Sequence, residues 1–306
     1  MHLFDNNINF LYLCSMKKGL FILLCITLST NFAVAAERWA IVVGISNYPV
    51  QSGWRAINGA KDIGLIVPML ELNGFAQAKI TTLSDEQATK KNIKQTIDNL
   101  CLRLKEGDIV YFHFSGHGQL ITDIDGDEVD ENGIQRGYDQ SFIPYDAQIK
   151  YNANGYRGEN HIVDDELNVW FSQIKNKIGT SGKLLVVLDA CHSGNGSRGE
   201  TDDEIVCRGV KDPFVIPSNA DIATTITNKT NRKIDWVCIS ACKWVETSEE
   251  YQGNGRLSVA ISRVLKPSLT KKQLKEALVE EYKTMSSRLP QSVEVETGKS
   301  EFYIVL

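Results

Sequence analysis

Two short apolar runs constrain this 306-residue chain more than anything else in its sequence. Residues 184–188 read Leu-Leu-Val-Val-Leu, preceded by Gly182 and ended by Asp189-Ala190-Cys191-His192-Ser193-Gly194. Residues 108–114 (DIVYFHF) have the same form and break into Ser115-Gly116-His117-Gly118. Short continuous apolar runs bounded by glycine turns read as strands buried on both faces, which calls for a mostly parallel sheet covered by helices. Residues i and i+2 of a strand point to the same side, so Asp189 and Cys191 leave the sheet together at its carboxyl edge. Open α/β sheets bind ligands at that edge. The two strands thus deliver a thiol, Cys191, and an imidazole, His117, each beside glycines that let another backbone come close.

The remaining pattern alternates in the same way. Residues 39–45 (WAIVVGI) form another buried strand. Ile63, Ile66, Val67 and Leu70 give a helix over 59–72, with an awkward Pro68 inside it and Asn73-Gly74 ending it. A strand follows at 79–83, and Ser84 or Asp85 caps a helix running through Leu104, with Ile93, Ile97 and Leu100 on one face. Residues 123–146 read as an acidic loop, and Asp164 as the cap of a helix starting in 162–167. Residues 235–240 form a strand, 255–265 and 270–287 helices, and 291–296 and 302–306 closing strands. The fold class is α/β: a mostly parallel central sheet of about six strands with helices on both faces.

Net charge is −5 with no basic block, which argues against a nucleic-acid partner. Met16-Lys17-Lys18, the apolar stretch 19–28 and Ala33-Val34-Ala35 have the layout of a secretory signal peptide cleaved after Ala35 or Ala36, with residues 1–15 an upstream start. The apolar stretch is about half the roughly 20 residues needed to span a bilayer. The expectation is a secreted or periplasmic protein with no membrane attachment after cleavage. Five cysteines remain beyond the leader: Cys101, Cys191, Cys207, Cys238 and Cys242. Five is odd, so in an exported protein one free thiol is expected, and Cys191 is the natural candidate. No C-x-x-C pair supports zinc.

A thiol near its ordinary pKa is a few per cent thiolate at neutral pH, so a neighbouring base activates it, and His117 can serve. The backbone N–H groups of Gly118 and Cys191 are placed to hold the oxyanion that forms when a thiolate attacks a carbonyl. His113, inside its strand, and His192, in the loop, stay outside this pair.

The SGHG and DACHSG motifs, in this order at two strand ends, resemble the His/Cys dyad of the caspase-like cysteine peptidases (clan CD), nearer to metacaspases and bacterial caspase-like proteins than to animal caspases. The resemblance implies a caspase-like fold and a cysteine endopeptidase acting on proteins or peptides. It divides the mature chain into a large portion (37–193), a polar linker where processing occurs (194–233) and a small portion (234–306). It also implies calcium held through the Asp164-Asp165 pair, whereas Asp123, Asp125 and Asp127 fail as an EF-hand because Glu128 stands where glycine is required. A pocket for Arg or Lys needs buried carboxylates. Asp189, on the face of Cys191, and Asp62, in a stretch similar to the metacaspase G-C-x-x-D segment, would supply them, with Ser115 and Ser240 as hydrogen-bonding neighbours. Cleavage after Arg or Lys and self-processing in 194–233 are the expectations. The alternatives are a catalytically silent caspase-like scaffold and a peptidase cutting after Asp or Asn.

Overall fold

The computed structural model describes residues 36–128, 134–192, 206–218, 220, 235–244 and 246–297, with the backbone alone of Leu13–Met16, Gly19–Ile22 and Tyr303–Ile304. The chain divides into one unit over 1–35 and another over 36–306. In the first, Leu13–Met16 pairs antiparallel with Gly19–Ile22. The rest of the expected leader and much of the linker at 194–233 lie outside the described residues. Among the described residues no helix is long and apolar enough to cross a membrane.

The second unit runs β1 (Arg38–Gly44), α1 (Gly59–Leu72), β2 (Ile80–Ser84), α2 (Lys90–Cys101), β3 (Ile109–Ser115), β4 (Gly118–Thr122), β5 (Tyr138–Phe142), β6 (Ile162–Val163), α3 (Asp164–Ile178), β7 (Lys183–Asp189), β8 (Val237–Ser240), β9 (Glu250–Tyr251), β10 (Asn254–Gly255), α4 (Arg256–Val264), α5 (Lys271–Thr284) and β11 (Glu294–Thr297). Six of these strands make the central sheet, in the order β11-β8-β7-β3-β1-β2. All neighbours are parallel except β11, which closes the edge antiparallel to β8.

Alternate residues of the inner strands feed two separate cores. Trp39, Ile41 and Val43 of β1, Val110, Phe112 and Phe114 of β3, and Leu184, Val186 and Leu188 of β7 join Ile93 and Ile97 of α2 and Trp170 and Phe171 of α3. Ala40 and Val42, Ile109 and Tyr111, and Leu185 and Val187 face the other way, onto Ile66 and Leu70 of α1, Leu257 and Ile261 of α4 and Leu274 and Leu278 of α5. Burial on both faces is why these strands carry no polar alternation. By the same parity Ser115 and Asp189 fall on the α1/α4 side.

Several local expectations change. The second helix starts at Lys90, capped by Thr89 Oγ1, which accepts the Asn92 N–H at 3.2 Å. Ser84 and Asp85 do not cap it. Asp85 instead accepts N–H groups from Ser46 (2.7 Å) and Asn47 (2.9 Å), fixing the turn out of β1. Asp164 is the first residue of α3 rather than its cap, which is Val163. The acidic stretch 123–146 is not all loop, since β5 within it pairs with β4. Pro68 sits inside α1, the ring accommodated at that position. All five cysteines of this unit are free thiols, not Cys191 alone.

Burial sets the acid response. Desolvation pushes His113, His117 and His192 down to about 4 and His161 to about 3. Below pH 6.5 the unfolded chain binds protons that the fold refuses, so these groups cost stability as pH falls from 6.5 toward 4. Asp139, pushed up to about 9 chiefly by burial and then by Asp164, acts in the opposite sense, and so do Asp125, Asp146, Asp189 and Glu294, whose carboxyls burial also raises. Asp139→Asn should therefore make the urea midpoint fall more steeply, or rise less, between pH 6.5 and 4.5 than it does in the wild-type chain, and an identical pH dependence would contradict this opposition.

Candidate active site

The parallel register of β3 and β7 sets the site. Ser115 lies opposite Asp189, so His117 and Cys191 each stand two residues beyond a paired position on adjacent strands. Gly116 N–H donates to Asp189 O at 3.3 Å, which carries the pairing past the strand ends. At Gly118 a Cβ would meet Cys191 O at 2.5 Å, so only glycine permits this approach.

His117 is buried at 3% exposure and held from three sides. Its backbone N–H donates to Tyr48 Oη at 3.0 Å, while Tyr48 donates to Ile143 O at 3.1 Å. Its ring stacks on Trp54 with centroids 4.9 Å apart. Nε2–H donates to Arg55 O at 2.9 Å, and Nδ1 is buried with no hydrogen-bond partner. That arrangement fixes the tautomer, leaving Nδ1 as the nitrogen able to accept a proton. Burial pushes the imidazole down to about 4, so it is neutral at pH 7. Cys191 Sγ donates to Glu246 O at 2.8 Å, and Cys242 Sγ reaches the same oxygen at 3.6 Å. His113 bonds Tyr111 Oη and Ser258 Oγ, and His192 Nδ1–H donates to Ser141 O.

The segment 206–209 of the linker lies across these groups. The N–H groups of Gly118 and Cys191 both donate to one oxygen, Arg208 O, at 3.0 and 3.1 Å. Arg208 N–H donates to Ser248 O and Glu250 N–H to Val206 O, both at 2.9 Å, with Cys207 bridged antiparallel to Glu249. Past the carbonyl, Gly209 bridges to Gly118. A Cβ at Gly209 would meet Cys191 O at 2.5 Å.

The Arg208 side chain is fully buried among carboxylates. Nη1 lies 2.9 Å from Asp62 Oδ2 and 3.6 Å from Asp189 Oδ2 and donates to Ser115 Oγ, which itself donates to Asp62. Nε and Nη2 both reach Glu250 Oε1, at 3.3 and 3.0 Å. The acids are held in turn: Glu250 by Asn58 N–H at 2.7 Å, Asp62 by Gly255 N–H at 3.0 Å, and Asp189 Oδ2 by Ser258 N–H and Oγ–H, each at 2.7 Å. At Gly255 a Cβ would strike Asp189 and the guanidinium, so this wall of the pocket is bare backbone. Burial pushes Asp189 up, with Arg208 opposing, while the three acids hold Arg208 in its charged form.

Of the residues singled out from sequence, Asp62, Ser115 and Asp189 surround this guanidinium and Gly118 and Cys191 share its carbonyl. Ser240, at the end of β8, pairs with the Cys238 thiol instead, and Ser258 is the hydroxyl that reaches Asp189. Glu250, Asn58, Tyr48, Trp54 and Arg208 itself were not read from sequence. None sits in a motif, and only Arg208, as a basic residue in the linker, carried any signal. Asp164 and Asp165 lie with Asp127, Glu128 and Asp139 in two overlapping groups, Asp127-Asp139-Asp165 and Glu128-Asp139-Asp164, whose oxygens fall within 4.8 Å of one another in each group.

A neutral imidazole and a thiol stand at adjacent strand ends, with two converging N–H donors and an acidic pocket beside them, the groups that acyl transfer through a thiol requires. A sequence profile of the caspase domain matches residues 37–302, and the chain belongs to that family. It is similar to metacaspase-1 of Pyricularia oryzae (30% identical over 165 residues, 52% of this chain and 37% of the relative) and to metacaspase-2 of Arabidopsis thaliana (33% over 168 residues, 53% and 35%). The chain therefore spans little more than a third of the length of these relatives. Among solved structures it resembles protein GSU0716 from Geobacter sulfurreducens (TM-score 0.57, 22% identity, covering 85% of this chain and 94% of that one). It also resembles caspase-1 from Spodoptera frugiperda (TM-score 0.55, 12% identity, covering 86% of each).

Removing the cation should be costly while its acids remain. Arg208→Met should lower folding stability by about 3–5 kcal/mol, the range for orphaning buried charge. Arg208→Met combined with Asp62→Asn should lose less than the sum of the single variants in urea titrations, and strict additivity would refute the coupling.

Proposed function

We propose that this chain is a cysteine endopeptidase that cuts after arginine or lysine, arginine being favoured, and that its own Arg208–Gly209 bond is one of its substrates. The observation that carries the reading is the double engagement of Arg208: side chain among three acids, carbonyl between two N–H donors. Donors about 3 Å from a carbonyl oxygen are those that stabilise the oxyanion, worth on the order of 3 kcal/mol each in the barrier.

In the reaction Cys191 Sγ leaves Glu246 O, passes its proton to His117 Nδ1 and bonds to the Arg208 carbonyl carbon. The oxygen gains the negative charge and is held by the Gly118 and Cys191 N–H groups. Collapse of that intermediate breaks the C–N bond to Gly209, whose nitrogen takes the proton from His117. Water then attacks the thioester, giving its proton to His117, and the released thiolate recovers it. The geometry favours arginine because Nε and Nη2 both meet Glu250 while Nη1 meets Asp62, and lysine offers one compact ammonium in place of this fork. The close approach of Gly209 to Cys191 O favours a small residue after the cut.

The acidic groups at β5 and α3 fit a bound calcium ion. Asp139 Oδ1 is buried without a hydrogen-bond partner, and the donors are all carboxylate oxygens, the set a hard cation takes. Asp139, Asp164 and Asp165, with Asp127 or Glu128, would hold it, and its charge would offset their repulsion and tie the β4–β5 hairpin to α3.

Incubated alone, the purified chain should yield two fragments whose junction maps by mass spectrometry to 208/209. Arg208→Gln should stay intact there yet still hydrolyse a short arginine amide, whereas Cys191→Ala and His117→Ala should do neither. Faster turnover of an aspartate-ended amide than of the arginine one would defeat the specificity. For the ion, calcium should raise the thermal midpoint of Cys191→Ala protein and bind measurably by calorimetry. Asp139→Asn should abolish both effects, and retention of both would exclude this site.

A further inference from the structure

The linker is anchored at a second point that the reaction does not use. Between Arg208 and Phe214 the chain surfaces, Lys211 and Asp212 being exposed, and then Phe214 is buried again at 1%. From Gly209 to Phe214 it runs along the edge of β4, bridged in parallel at Gly118 and at Ile121, with four linker residues between the bridges against two of strand. Phe214 N–H donates to Leu120 O at 2.7 Å and Thr122 N–H to Phe214 O at 3.0 Å.

The bulge created by that mismatch is met by a buried polar chain. Tyr156 Oη–H donates to His161 Nδ1 at 2.7 Å, and His161 Nε2–H to Gln119 Oε1 at 3.1 Å. This leaves the Gln119 amide to donate to Ile149 O (3.2 Å) and to Asp212 O (2.9 Å). A neutral imidazole is needed for this direction, and burial keeps His161 neutral. Beyond the bulge the Phe214 ring sits against His161 (4.5 Å between centroids) and meets Tyr156 edge-on at 5.7 Å and 85°. Gly158, at φ +105°, leaves the ring its space, since a Cβ there would lie 3.0 Å from it.

We propose that this aromatic pocket is a substrate subsite that takes an aromatic side chain six residues beyond the scissile bond, with Phe214 as its first occupant. The inference rests on the proposed cut after Arg208. All the bonds to the linker here go to main-chain atoms, so any peptide can add to the edge of β4 in this way, and the pocket selects the side chain. Such an anchor fixes register: with the ring seated and the bulge held by Gln119, the arginine six residues back falls at the acidic pocket. It also separates one arginine from the other basic residues of the linker, which the acidic pocket alone does not.

The test uses the full chain and two synthetic peptides spanning 206–218, one with the native sequence and one with Phe214→Ala. The enzyme is the Phe214→Ala chain, whose pocket lacks its own occupant, and a short arginine amide serves as a separate substrate. The native peptide should be cut with kcat/KM about tenfold higher than the altered one, the order expected for withdrawing a buried ring. In the intact chain, Phe214→Ala should slow scission at 208/209 by a similar factor while Lys211→Ala, at an exposed position with no part in the anchor, should not. Equal rates for the two peptides, with the arginine amide still hydrolysed, would overturn the subsite and leave the peptidase reading standing. Failure of the wild-type chain to hydrolyse the arginine amide would remove the peptidase reading and the subsite with it.

Discussion

A single guanidinium organises the carboxyl edge of this sheet. Arg208 brings Asp62 from α1, Asp189 from β7 and Glu250 from β9 into one enclosed space, elements far apart in the chain. Without a cation, three buried acids would repel and draw water in, because charge removed from solvent must be paired. With it, the ends of the two central strands, the first helix and β9 close around one side chain. The same residue places its carbonyl on the Gly118 and Cys191 amides, so pocket and donors are aligned by one covalent unit.

Much of this edge was legible because strand physics is periodic. The parity that puts Asp189 with Cys191, and the parallel register that sets His117 beside them, follow from two apolar runs and their ends. Asp62 was legible as an acid at a helix start near the same edge. What escaped was set by long-range placement. Glu250 lies in a two-residue strand with no pattern of its own, and Tyr48, Trp54 and Arg55 act on His117 from a turn whose shape depends on Asp85. Ser258 displaced Ser240 from the expected role because the start of α4, not the end of β8, faces the carboxylate. The misplaced start of the second helix has a local cause, as Asp85 spends its carboxylate on the β1 turn.

The acidic stretch after His117 shows a different limit. Read as a run of charges it is solvated loop, yet Asp139 lies in a strand and its carboxyl is buried. Ser141, two residues on and therefore on the same face of that strand, is fully buried, and Asp139 goes inward with it. Acids brought this close raise one another's affinity for a proton, and sequence alone shows the acids but not their convergence.

The path of the linker has a further consequence. Its stretch before Gly209 is clasped by residues 248–250, which follow it in the chain, whereas the stretch after it lies along β4, which precedes it. Each strand end at a break there would thus be gripped by the opposite piece. Such a break would leave a nicked particle with its two chains interlaced, covalent continuity gone but neither half released. Freedom for the pocket then has to come from Arg208 leaving its three acids as well as the clasp at 248–250, with the large hydrophobic cores on either side of the sheet left in place.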